Sequence, residues 1–143
     1  MAATDTSIRS SCHCGAITVT VPRLPKFINV CQCTICRRYG AAWGYYPQNE
    51  VKIETKPNAV TKQYIWGDRD LSFNFCDNCG CVCYWWPIRP PSTDERKKNI
   101  MGINTNNVNP ELLRFVDRKF GYSLLISPLR SKDTAHPEDL AKY

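Results

Sequence analysis

Ile17 to Val21 (ITVTV) alternates aliphatic β-branched residues with threonine, a period of two that predicts a half-buried strand ended by Pro22. Phe27 to Val30 is a short apolar run leading to a group of cysteines. Tyr39 to Tyr46, rich in glycine, alanine and aromatics and closed by Pro47, predicts a packed turn that runs into a strand. Val51 to Ile53 and Val60 to Trp66 are predicted strands parted by the turn signal Lys56-Pro57-Asn58. Leu71 to Phe75 alternates again, and Val82 to Trp86 leaves the last cysteine group as a strand. Arg89 to Asn99, with two prolines and six charges, reads as an exposed loop. Asn109, Pro110 and Glu111 supply an N-cap, a proline at the first helical position and an early acid, which predicts one short helix. Gly121 to Ile126 reads as a last strand, and the sequence beyond Pro128 is polar. The expectation is a mainly β single domain over 1–143 with at most one short helix, about 8–127 folded, and 1–7 and 129–143 mobile.

Composition changes the picture at one point. At 143 residues the chain can bury a core without covalent staples, so its nine cysteines need another explanation. Met1 to Ser11 is polar and has the character of neither a secretory signal nor an anchor, and no apolar run approaches the roughly 18 residues that span a bilayer. The expectation is a cytoplasmic protein without a membrane partner. In a reducing compartment disulfides are disfavoured, and an odd cysteine count leaves one unpaired in any case. Metal binding is then the default reading. The formal charge of +6 is scattered along the chain rather than gathered in a stripe, which argues against a nucleic-acid partner.

Seven of the cysteines fall in three knuckles: Cys12-x-Cys14, Cys31-x-Cys33-x-x-Cys36, and Cys76-x-x-Cys79-Gly80. A closed structural zinc takes four protein ligands, whereas a catalytic zinc takes three and keeps a position open. Seven divides as four plus three. Cys12, Cys14, Cys76 and Cys79 would form a structural site tying the start of the chain to its middle, and Cys31, Cys33 and Cys36 would hold a second, catalytic zinc. The rivals are a closed second site completed by Cys81, Cys83 or His13, or another partition of the ligands. Cys81 and Cys83 otherwise read as buried core cysteines. With both sites filled, seven thiolates and two zinc dications contribute −3 and leave about +3 of the formal charge.

Ser11-Cys-His-Cys-Gly15 before a β-branched strand, Cys31-Gln-Cys-Thr-Ile-Cys-Arg-Arg-Tyr-Gly-Ala41, and Phe75-Cys-Asp-Asn-Cys-Gly80 resemble the glutathione-dependent formaldehyde-activating enzyme family, which includes the centromere protein V type. The motifs run in order from about Ser10 to Trp86, and Ile103 to Leu112 is similar to the family's C-terminal portion. The resemblance implies a β-tent of small antiparallel sheets. It also implies a structural zinc on Cys12, Cys14, Cys76 and Cys79, and a catalytic zinc on Cys31, Cys33 and Cys36. The activity implied is that of a carbon–sulfur lyase, joining glutathione and formaldehyde into S-hydroxymethylglutathione.

The residues set their own limits on the chemistry. Three thiolates and a zinc dication sum to −1, against +2 for three neutral histidines, so water activation to a pKa of about 7 is much less favoured. A thiolate-rich zinc suits a soft sulfur ligand or a polarised carbonyl oxygen. The substrate expected is thus a small carbonyl, thiol or thioether, with glutathione as the thiol that the resemblance implies. Arg37 and Arg38 follow the last ligand and could offset the negative charge or bind carboxylates bidentately; the alternative is two surface charges. Trp43, Tyr45 and Tyr46 read as core residues, or else as walls of a pocket near the metal. Asp68 and Asp77 are candidate proton-transfer groups that equally fit turns. A non-catalytic zinc-stabilised binding module is the alternative function.

Overall fold

Ile17 and Val19 and Val21 point inward from a five-residue strand whose threonines face partly outward, as the period of two requires. This strand is the middle of a three-stranded antiparallel sheet in a computed structural model that describes residues 4–67, 69–88 and 100–121. Its members are β1 (Ile8–Ser11), β2 (Ile17–Val21) and β5 (Lys52–Thr55), in the order β1-β2-β5. The β1 strand escaped the sequence pattern because its second inward position is Ser10. That serine is 1% exposed, and its hydroxyl donates to the Asn104 carbonyl over 3.3 Å.

Among the described residues the second sheet has seven strands: β3 (Ile28–Asn29), β4 (Trp43–Pro47), β6 (Thr61–Tyr64), β7 (Leu71–Cys76), β8 (Val82–Pro87), β9 (Ile100–Asn104) and β10 (Arg118–Lys119). They lie in the order β10-β3-β4-β9-β8-β7-β6. Every pairing is antiparallel except that of β10 with β3. The register of β7 against β8 shifts at Asn74/Phe75, just before the cysteine that ends β7. The mainly β expectation holds, with this mixed pairing and, among the described residues, two short α-helices as its refinements.

One helix, α2 (Pro110–Leu113), begins where the sequence predicted, with the Asn109 side chain accepting from the Glu111 N–H. The other, α1 (Thr34–Tyr39), corrects the expectation of at most one helix. Its sequence, TICRRY, has few strong helix formers. It holds because the Cys33 thiol caps its first turn and Gly40, at φ 63°, closes its last. The predicted turn over Tyr39 to Tyr46 therefore starts as a helix end.

Two apolar clusters fill the interior. The larger gathers Ile17, Val19, Val21, Ile28, Tyr46, Met101, Ile103 and Leu113 around Cys12, Cys76 and Cys83. The smaller packs Ala41, Trp43, Phe73, Val82 and Trp85 around Cys31 and Cys36. Among the described residues no helix is long and apolar enough to cross a membrane. The predicted loop Arg89–Asn99, the residues after Gly121 in the predicted last strand, the polar tail, and Asp68 lie outside the described residues.

Candidate metal centre

The first group of thiols forms where two hairpin tips meet. One tip, Cys12–Ala16, joins β1 to β2 in the small sheet; the other, Asp77–Cys81, joins β7 to β8 in the large one. Both turn tightly at a left-handed glycine, Gly15 at φ 79° and Gly80 at φ 78°, a conformation that side chains disfavour. The Gly15 N–H donates to the Cys12 carbonyl and the Gly80 N–H to the Cys76 carbonyl, at 3.0 and 2.8 Å. The Sγ atoms of Cys12, Cys14, Cys76 and Cys79 all fall within 4.8 Å of one another. Cys12–Cys14 and Cys14–Cys76 stand 3.7 and 3.6 Å apart. Thiolates at the corners of a zinc tetrahedron, each about 2.3 Å from the ion, would stand about 3.8 Å apart. The donor set and its spacing fit a closed four-thiolate site.

Its thiols differ in acidity. Burial pushes Cys12 up to about 11. Burial acts in the same sense on Cys79, but hydrogen bonds from the Cys14 and Cys81 backbone N–H groups and from neighbouring thiols outweigh it and bring that thiol down to about 5. The Ile17 N–H donates to the Cys12 sulfur over 3.3 Å, a contact that stabilises negative charge there.

The second group is built by β3 and α1. Cys31 follows β3, Cys33 is the N-cap of α1, and Cys36 lies in its first turn, three residues on and so on the same helix side. Their three Sγ atoms lie within 4.8 Å of one another. Cys33 accepts hydrogen bonds from the Cys31 and Cys36 thiols and from the Cys36 N–H at 3.4 Å, and these hold it down at about 3. The same contacts, with burial, push Cys31 up to about 12 and Cys36 up as well. Three thiols sharing protons in this way are suited to a divalent ion that would replace them. The indole N–H of Trp43 donates to the Cys36 sulfur over 3.2 Å.

Among the described residues these are the only groups of three or more candidate ligands so placed, and neither includes Cys81, Cys83 or His13. Cys83 is 1% exposed in the large core, and its thiol donates to the Cys81 carbonyl over 3.3 Å. Cys81 is half-buried beside the four-cysteine group, where the His13 backbone N–H donates to its thiol.

A cavity of about 310 Å³ adjoins the three-cysteine group. Cys31, Gln32, Arg37, Ala41, Asn106 and Arg118 contribute to its lining. The structure thus separates the two adjacent arginines. Arg37 faces the cavity, whereas the Arg38 guanidinium folds back along α1 and donates to the Thr34 carbonyl over 2.8 Å. None of Trp43, Tyr45 and Tyr46 lines it. Trp43 packs behind the cysteines against Phe73, Tyr45 takes a hydrogen bond from the Asn29 amide at 2.7 Å, and Tyr46 enters the other core. Asp77 is an exposed turn residue paired with Lys62 at 3.1 Å, away from this cavity.

Three contributors were not read from the sequence: Asn104, Asn106 and Arg118. The Asn104 side chain receives the Ala42 N–H at 3.3 Å and donates to the Val82 carbonyl at 2.9 Å, joining the segment after α1 to β8. Asn106 donates to the Gly40 carbonyl and so fixes the helix end at the cavity rim. The polar run Asn104 to Asn107 between two apolar stretches was the available signal for the first two. Arg118 had none, because only the parallel pairing of β10 brings it here.

Comparison with known proteins agrees with this architecture. A crystal structure of a Rhodobacter sphaeroides protein superposes with a TM-score of 0.59 at 25% identity, over 78% of this chain and 100% of that one. No curated protein gives a match. Residues 7–113, which contain all seven knuckle cysteines, match the family described as glutathione-dependent formaldehyde-activating enzyme, and the chain belongs to that family.

Proposed function

We propose that this protein is a zinc-dependent enzyme of the carbon–sulfur lyase class that joins a thiol to a small aldehyde, with glutathione and formaldehyde as the pair the family points to. The observation that carries this reading is the three-cysteine group with one member, Cys31, on the wall of an open cavity. In the reaction the thiol sulfur bonds to the carbonyl carbon, the carbon–oxygen π bond opens, and the proton lost from sulfur ends on oxygen. Zinc held by Cys31, Cys33 and Cys36 would supply a Lewis acid with affinity for sulfur. Zinc on Cys12, Cys14, Cys76 and Cys79 would instead clamp the two hairpin tips.

The chain's own residues set the conditions. Cys33 caps α1 through its sulfur, so ligand position and helix geometry are fixed together. Trp43 directs its N–H at the Cys36 sulfur and lowers the electron density there, leaving more Lewis acidity for the metal. Holding both reactants against one wall converts a bimolecular encounter into a local one.

The test is exchange spectroscopy by NMR on the zinc-loaded protein with glutathione and formaldehyde. Adduct formation and breakdown should run faster than the uncatalysed reaction, and Cys31→Ala should return them to the uncatalysed rate while the far-UV circular dichroism stays unchanged. An undiminished rate in Cys31→Ala sinks the proposal. No acceleration by wild-type protein with two zinc ions bound would instead favour a zinc-stabilised binding module.

A further inference from the structure

Arg118 lies outside the segment that matches the family, yet it stands on the wall of the cavity beside Cys31. The chain is led there by a parallel ladder. The N–H groups of Ile28, Val30 and Gln32 donate in turn to the carbonyls of Asp117, Lys119 and Gly121, at 2.8, 2.8 and 2.7 Å. Residues 117–121 therefore run alongside the residues that lead into the three-cysteine knuckle, and Arg118 is carried to the same cavity as Arg37. Arg37 comes from the other side, on α1, whose C-terminal Gly40 is tied to Asn106 at the rim. Among the described residues neither guanidinium makes an ion pair, although Arg23 and Arg114 both do.

Two cationic forks on one small cavity, with no carboxylate paired to either among the described residues, are matched to an anion. Their charge also answers the local electrostatics. Three thiolates with a divalent ion carry −1, which would repel an anionic substrate; two arginines bring the sum to +1. A cavity of about 310 Å³ is at the small end of ligand sites and admits a compact metabolite or one end of a longer one.

We propose that Arg37 and Arg118 form a carboxylate-binding subsite, so that the thiol used at the three-cysteine group is one bearing a carboxylate within a few bonds of its sulfur. This rests on the thiol–aldehyde reading above for the identity of the sulfur partner, but the subsite itself is a property of the two arginines. Arg118 is then a specificity-determining residue contributed by the strand that follows the family segment.

The experiment is calorimetric titration of the full-length zinc-loaded protein, at low ionic strength and without aldehyde, with three probes: 3-mercaptopropionate, its neutral amide, and propionate. The expected result is about tenfold tighter binding of the mercapto acid than of its amide, a preference that shrinks as salt is raised. Arg118→Gln and Arg37→Gln should each lower that preference at least threefold without changing amide binding or zinc stoichiometry. Arg118→Lys should restore part of it, since charge returns without the planar fork.

Equal binding of acid and amide by wild-type protein overturns the subsite while leaving the metal–thiol reading intact. Binding of propionate, lost in Arg118→Gln, with no binding of the neutral thiol has the reverse meaning: the subsite stands and the thiol reading falls. A preference that survives both substitutions removes these two arginines from the assignment. Absence of binding by all three probes overturns both readings.

Discussion

Trp43 donates its indole N–H to the sulfur of Cys36 over 3.2 Å, across the turn in which Gly40 ends α1 and β4 begins. The ring is 1% exposed and packs on Phe73, so the donor cannot turn to water. Under the proposed function Cys36 holds the zinc, and a buried donor aimed at a ligand sulfur is then an outer-shell contact of the kind whose loss typically changes metal affinity by about 10- to 100-fold. Trp43→Phe keeps most of the packing and deletes the donor. The expected outcome is an affinity about tenfold weaker at the three-cysteine site with the four-cysteine site unaltered, read by competition with a chromophoric chelator. An unchanged affinity would mean the contact is only packing.

Acid should strip the three-cysteine group in a defined way. Cys33 is held down at about 3, while Cys31 is pushed up to about 12 and Cys36 is also raised. Between those limits the metal-free group keeps two protons, which a divalent ion must displace. The metal affinity of this site is therefore highest at high pH and is lost as pH falls, with log affinity dropping by about two for each unit of acidification. A pH-stat should record about two protons released per ion bound at this site near neutrality. Release of none would contradict the protonation pattern.

The two groups should differ in what their loss does to the fold. Cys76 is 1% exposed at the junction of the two hairpin tips, and the large core surrounds it. A structural zinc contributes on the order of 10 kcal/mol of apparent folding free energy, so Cys76→Ala is expected to unfold or to melt well below wild type in calorimetry. Cys31→Ala empties a site held within one local segment and should melt close to wild type. A milder effect for Cys76→Ala than for Cys31→Ala would reverse the structural and functional roles.

Gly102 tests the aromatic packing behind the site. It pairs with Trp85 across β8 and β9, and the indole lies so close that an added Cβ would clash with Trp85 Nε1 and the two ring carbons beside it. Trp85 belongs to the cluster around Cys31 and Cys36. Gly102→Ala should cost about 1–3 kcal/mol through overpacking, seen as a lower urea midpoint at unchanged m-value. Full stability in that variant would show that the indole moves freely.

The strands with the clearest alternation were legible because half-burial imposes a period of two. Ile17–Val21 is reproduced residue for residue, and Leu71 to Phe75 and Val82 to Trp86 each gain one residue at the C-terminal end. Where the inward position is polar, the pattern fails: Ser10 in β1 is paid for by a hydrogen bond to a backbone carbonyl that no local rule anticipates. The α1 helix was missed for a related reason, since its cap is a cysteine thiol, which carries no helix signal in a sequence otherwise read for metal ligands.

The division of the seven knuckle cysteines into four and three was suggested by the sequence, because coordination number and short ligand spacing are local chemistry, but other partitions stayed open until the Sγ atoms were seen to gather in those two groups. Their meeting in space needed the fold: Cys14 and Cys76 come within 3.6 Å only because two hairpin tips from different sheets face each other. The same holds for the cavity. Arg37 was visible beside its cysteine, but Arg118 reaches it through a parallel pairing ninety residues apart in register, Arg118 with Ile28. Spacing along the chain specifies which ligands can share an ion; only tertiary pairing decides which distant charges look into the space beside it.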